Sequence, residues 1–201
     1  LNRGVGITLR QFEQLQSRAR RAAPVLDASA SASRVHSIIL GIDPSVRGTG
    51  FGVIRMEKRQ PMVVGHGTVN CPASWERSRC LAQIARTLRE QIQKLRPTVC
   101  IVEGLFYAQN FQTALIMGEA RGASLVAAAE AGLEIFEIAP RKVKQAIVGY
   151  GAAQKLAVAK MVQRLLNLPV LPEADAADAL ALALAYAQTT SRYSFDPPKR
   201  V

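Results

Sequence analysis

Four acidic residues stand where carboxylates can do chemistry: Asp43, Glu103, Asp175 and Asp178. Asp43 closes the apolar run SIILGID (37–43), and Glu103 lies at the end of TVCIVEG (98–104). Asp175 and Asp178 are three residues apart at the start of an Ala/Leu-rich stretch, so on a helix they share one face. Taken singly, each has a commoner explanation. Asp43-Pro44 begins a turn, a Glu at a strand end is solvated, and an acid in a first helical turn is a cap or a dipole partner. Jointly these explanations weaken. IILGI and VCIV are continuous apolar runs, as in strands buried on both faces, which sit centrally in a sheet and end in one crevice. The stretch after Asp178 reads ALALALAYA, so that helix is deeply packed.

Carboxylates gathered in one crevice repel each other and are costly to desolvate alone. A divalent cation removes the conflict, and all-oxygen ligands select Mg²⁺ or Mn²⁺ over zinc. Two such ions about 4 Å apart can drive in-line displacement at a phosphodiester. Other chemistries are excluded. The chain has only two histidines, His36 and His66, and neither sits in a motif. Its three cysteines, Cys71, Cys80 and Cys100, form no CxxC and read as reduced thiols, with Cys100 in the core. His-base catalysis and a zinc cluster are therefore unsupported.

The elements that must position the acids follow from periodicity. SIILGID, TGFGVIRM (49–56) and PMVVGHGTV (61–69) read as three strands joined by short connections, hence antiparallel. Residues 74–95 carry apolar side chains at helical spacing until Pro97. A strand at 98–104, a helix at 110–131 and a strand at 133–139 follow. Helices at 140–148 and 154–166 flank the loop Gly149-Tyr150-Gly151, and a last helix spans 173–188. This order predicts an α/β fold with a mixed five-stranded sheet, its first three strands antiparallel, covered by helices. Ligands of such sheets bind beyond the carboxyl ends of the strands.

Charge points to the partner. The 201 residues carry a net charge of +11, and hydrophobic residues make up 49%. Residues 1–36 hold six Arg against Glu13 and Asp27, so the other 165 residues keep a net +7. A basic surface on a chain with a real core favours nucleic acid first and an anionic membrane second. No run reaches the ~18 apolar residues of a membrane span. Residues 1–36, rich in Arg, Ala and Ser, read as a basic extension, disordered or partly helical over 8–21. That composition fits an organellar transit peptide. It fits equally a stretch upstream of the true start, the preferred reading, with a cytoplasmic protein as its consequence. The nuclease domain is then 37–188, and 189–201 a polar C-terminal tail.

Five segments make the reading specific: ILGIDPSVRGTGFGVI (39–54), VEGLFYAQN (102–110), GEARGASLVAAA (118–129), RKVKQAIVGYGAAQK (141–155) and LPEADAADALALALAYA (171–187). In order and spacing they resemble the RuvC family of Holliday junction resolvases, and the resemblance covers about 37–188. It implies an RNase H-like fold and four metal-binding acids, which map onto Asp43, Glu103, Asp175 and Asp178. It further implies Mg²⁺-dependent nicking of two opposed strands, leaving 5′-phosphate ends; the metal chemistry above sets two ions per site, with Mn²⁺ as a substitute. The implied partners are four-way junction DNA, a second copy of the chain, and the RuvAB branch-migration complex. Gly104 stands where the family often has Gln, and its flexibility is expected to loosen Glu103.

Other residues carry two readings each. Phe106, with Tyr107 a weaker candidate, is either a core anchor or an aromatic wedge stacking on a splayed base. Lys144 and Lys155 match positions that contact DNA in the resembled family, and Arg141 lies close in sequence. Otherwise all three are solvated helix faces. Gly118 and Gly122 permit close helix approach, either to the protein's own sheet or, as the resemblance implies, in a dimer interface. Two rival functions are a non-catalytic junction-binding module, disfavoured because all four acids are present, and a sugar-kinase-like ATPase. The latter is suggested by Asp-x-x-x-x-Gly-x-Gly at 43–50.

Overall fold

The computed structural model describes residues 36–58, 60–104, 111–190 and 198–201. In chain order the elements are β1 (Ile38–Asp43), β2 (Gly48–Glu57), β3 (Gln60–Asn70), α1 (Arg77–Leu95), β4 (Val99–Glu103), α2 (Phe111–Glu130), β5 (Glu134–Ile138), α3 (Pro140–Val148), α4 (Lys155–Leu165), α5 (Ala174–Thr190) and β6 (Lys199–Arg200). Residues 1–35 of the expected extension 1–36, and the tail residues 191–197, lie outside the described residues.

The sheet order is β3-β2-β1-β4-β5-β6. As expected, β1, β2 and β3 are antiparallel. β4 lies parallel between β1 and β5, with Ile42 opposite Val102. Strand side chains alternate between faces. Ile39, Gly41 and Asp43 thus share one face of β1, and Val99, Ile101 and Glu103 share the same face of β4. On that face Ile39, Val99 and Ile101 form a core with Val143 of α3, Val158 and Val162 of α4, and Leu180 and Leu184 of α5. On the other face Leu40, Ile42, Cys100 and Val102 meet Cys80, Ile84 and Leu88 of α1 and Ala127 of α2. Two cores, one on each side of the sheet, explain why β1 and β4 are apolar without interruption.

α5 is sandwiched between the sheet and helices α3 and α4, so 179–187 are buried on every side. Glycines let it lie directly on strand backbone. A Cβ at Gly41 would run into the Ala179 carbonyl, and one at Gly50 into the Asp175 carbonyl. Gly41→Ala is expected to destabilise the protein by about 2–3 kcal/mol through overpacking. Urea unfolding measures this, and an unchanged midpoint would contradict the close seating of α5 on β1.

One expectation needs correction. The sheet has a sixth strand, because residues expected in a polar tail pair with β5, Phe136 opposite Arg200 and Glu137 opposite Lys199. Their charges assist: Lys199 Nζ is 3.2 Å from Glu137 and Arg200 Nη2 is 3.3 Å from Glu134. A two-residue strand of cations carries no hydrophobic period, so the pattern could not reveal it. No helix among the described residues is long and apolar enough to cross a membrane.

Candidate active site

Asp43 and Glu103 each stand one residue beyond the Ile42–Val102 pair, on the face covered by α5. The first turn of α5 runs over β2. The Asp175 carbonyl lies over Gly50, and its Oδ2 sits where a Cβ on Gly48 would be. Asp178 is one turn further along the same helix. Three elements thus bring four half-buried carboxyl groups to one place.

Electrostatics follow from this crowding. The Asp43 carboxyl is pushed up to about 7, first by burial, then by Glu103 and Asp178, with Lys155 opposing and Asp175 adding a smaller push. Glu103 is also held above its ordinary value, by burial and then by Asp178, against the pull of Lys155, a hydrogen bond with Asp43, and Lys144. Burial raises Asp175 as well, with Lys155 opposing. Lys155, at the start of α4, places Nζ 2.9 Å from Asp178 Oδ2. That hydrogen bond is the main cause of its own raised pKa.

The donor set is carboxylate only, with no imidazole or thiolate, and suits a hard divalent cation. Among the described residues no three such groups enclose an ion as the side chains stand. Lys155 supplies a countercharge at Asp178 instead. In charge and donor type the residues fit a bound cation: burial and mutual repulsion both disfavour the four charges without one.

The remaining expected residues divide. Lys144 lies near enough to act on Glu103, and Lys155 is in the site. Arg141 is directed elsewhere: its side chain lies where a Cβ on Gly151 would be, so it covers the α3–α4 loop. Phe106 and Tyr107 lie outside the described residues. Gly118 and Gly122 do not face the sheet, because a Cβ at either position would meet nothing within 4 Å. Gly104, expected to loosen Glu103, sits in a peptide that is hydrogen-bonded at both ends. Its N–H donates to the Ile138 carbonyl at 2.9 Å, and the Glu103 carbonyl accepts from Arg121 Nη1 at 2.5 Å. The sequence reading missed Arg121 and Gly48. Arg121 left one signal, a lone cation in the small, apolar run ARGASLVAAA.

The crossover junction endodeoxyribonuclease RuvC family model matches residues 39–186, a span that holds all four acids. The chain belongs to the RuvC family. RuvC of Akkermansia muciniphila is 46% identical over 161 residues, covering 80% of this chain and 93% of its own. RuvC of Rubrobacter xylanophilus is 43% identical over 156 residues, covering 77% and 87%. Among solved structures, Thermus thermophilus RuvC in complex with a Holliday junction substrate superposes with a TM-score of 0.74 at 32% identity, covering 83% of this chain and all of that one. The yeast mitochondrial Holliday junction resolvase, at 11% identity and a TM-score of 0.55 over 79% of this chain and 83% of its own, shares the fold alone. The RNase H-like fold implied by the resemblance is the fold found.

Proposed function

We propose that this chain resolves four-way DNA junctions by metal-dependent nicking of two opposed strands, with Asp43, Glu103, Asp175 and Asp178 holding the cations. Crossover junction endodeoxyribonuclease activity accompanies family membership, and with it a place in DNA recombination and repair. The observation that carries the assignment of residues is the meeting of four carboxyl groups on the α5 face of β1 and β4. The kinase-like reading of 43–50 gives way, because Gly48 and Gly50 are accounted for by the seat they provide for Asp175.

Bound Mg²⁺, or Mn²⁺ in its place, two ions per site, supplies the Lewis acidity for in-line attack of water on the phosphodiester. The chain supplies the rest. Asp43 and Glu103 project from central strands, and Asp175 and Asp178 from a helix seated on the backbone of β1 and β2, so the backbone that carries the four acids is fixed. With a cation bound at Asp178, Lys155 would be free to hold a DNA phosphate, and Lys144 lies near Glu103. Cleavage leaves a 5′-phosphate and a 3′-hydroxyl.

Nicking two opposed strands calls for two sites, which a homodimer provides. α2 offers a face for it: exposed Phe111, Leu115 and Val126 share one stripe with the open Gly118 and Gly122. Gly122→Leu is expected to leave the monomer folded, since its Cβ has free space, but to block close helix approach. Sedimentation should then report a monomer, and a dimer of native affinity would refute the assignment of this face. The RuvAB motor is the partner proposed to deliver junctions.

The decisive assay offers the protein a synthetic four-way junction and a linear duplex of equal length, with and without Mg²⁺. Paired symmetric nicks are expected only in the junction and only with the metal. Equal cutting of the duplex, or cutting in excess chelator, would overturn the reading.

A further inference from the structure

We propose that Arg121 on α2 is a positioning residue for the reaction, holding the Glu103–Gly104 peptide so that the Glu103 carboxylate keeps its aim. This rests on the reading of Glu103 as a cation ligand. Among the described residues Arg121 is the one charged residue that is buried, at 8% exposed. A charge so placed is costly unless fully partnered. Its two partners are informative. Nη1 donates to the Glu103 carbonyl at 2.5 Å, and Nη2 donates to Glu137 Oε2 at 2.8 Å. A planar guanidinium holds both acceptors in one fixed relation, tying the end of β4 to β5.

The other end of the same peptide is also held, by the bond from the Gly104 N–H to the Ile138 carbonyl at 2.9 Å. A peptide anchored at both its oxygen and its nitrogen cannot swing. That restraint matters here because Gly104 has no side chain to limit its own backbone. Glu137 also lies 3.2 Å from Lys199 Nζ of β6. Arg121 forms its bond with the Glu103 main chain, so its effect on the carboxylate is transmitted through the backbone.

A clamp and a merely structural ion pair respond differently to replacement of both partners. Glu137→Gln keeps an acceptor for Arg121 and the bond to the Glu103 carbonyl, so its nicking is expected to fall less than that of the double variant. The double variant Arg121→Gln/Glu137→Gln leaves no charge buried alone, so its stability recovers relative to Arg121→Gln. Its single-turnover nicking is nonetheless expected to be about 10- to 100-fold slower, the cost of a small misplacement at the reacting centre. Junction binding in chelator should be unchanged. The Gly104 amide should exchange its hydrogen about tenfold faster, read by NMR without any turnover.

A double variant with native nicking and native Gly104 protection overturns the clamp. Should that variant fail to fold, Arg121→Lys decides the matter, because one ammonium cannot reproduce the fork. A native rate there would overturn the proposal, and a slow rate with native melting would support it. Glu103→Gln is run alongside. Its full activity would sink the site assignment itself, whereas an inactive Glu103→Gln beside a fully active double variant would sink only the clamp.

Discussion

Asp43→Asn is expected to slow junction nicking by about 10³-fold while leaving junction binding within a few-fold of native. Asp43 is the carboxyl on which the other three acids all act, and its own pKa is displaced to about 7. Asparagine keeps the shape and one oxygen but removes the charge that a cation needs. Junction affinity comes instead from the basic surface, which this change leaves intact. Loss of a half-buried, repelled charge should also raise the melting temperature of the metal-free protein. Activity and stability thus move in opposite directions, which general damage to the fold would not produce. Single-turnover nicking, binding in chelator and thermal melting together measure this. Nicking at the native rate would remove Asp43 from the mechanism.

The second large effect is a dependence of stability on pH opposite to ordinary acid denaturation. For Asp43 the folded value of about 7 stands above the ordinary 3.8. Between these values the folded protein holds a proton that the unfolded chain has released. Its contribution is therefore full below about pH 4, is lost as pH rises towards 7, and is absent above that. Glu103 and Asp175 are displaced in the same direction and add to the trend. Lys155, whose pKa is raised above 10.5, contributes evenly across this window. Glu130, lowered by its surface bond to Arg89, works the other way but is exposed and counts for little.

Between pH 5 and 8 Asp43 by itself contributes at most about 3 kcal/mol, or roughly 6–12 °C in melting temperature. In chelator the protein should melt lower at pH 8 than at pH 5. Mg²⁺ should restore stability most at the higher pH, because cation binding must displace the proton. A melting temperature that rises from pH 5 to 8 in chelator would contradict the crowded-carboxylate site.

Much of this architecture is legible in local pattern. The apolar runs ending at Asp43 and Glu103 read as central strands because burial on both faces demands uninterrupted apolar residues. The three-residue spacing of Asp175 and Asp178 puts them on one helical face whatever the helix packs against. Composition alone argues against a His-rich zinc site and His-base catalysis, and charge alone points to a polyanion.

What needed the tertiary structure lies in contacts without a local period. Alternation places Asp43 with Ile39 and Glu103 with Ile101, but only the packing of α5 decides that this face is the one holding Asp175 and Asp178. The two readings of Gly118 and Gly122 are equal in sequence and unequal in space, because which side of α2 meets the sheet is settled by the whole core. Arg121 reaches the Glu103 carbonyl across 18 residues, and β6 joins β5 by backbone pairing that charge pairs assist. Hydrophobic periodicity records which residues avoid water, not which distant polar groups they meet on the way in.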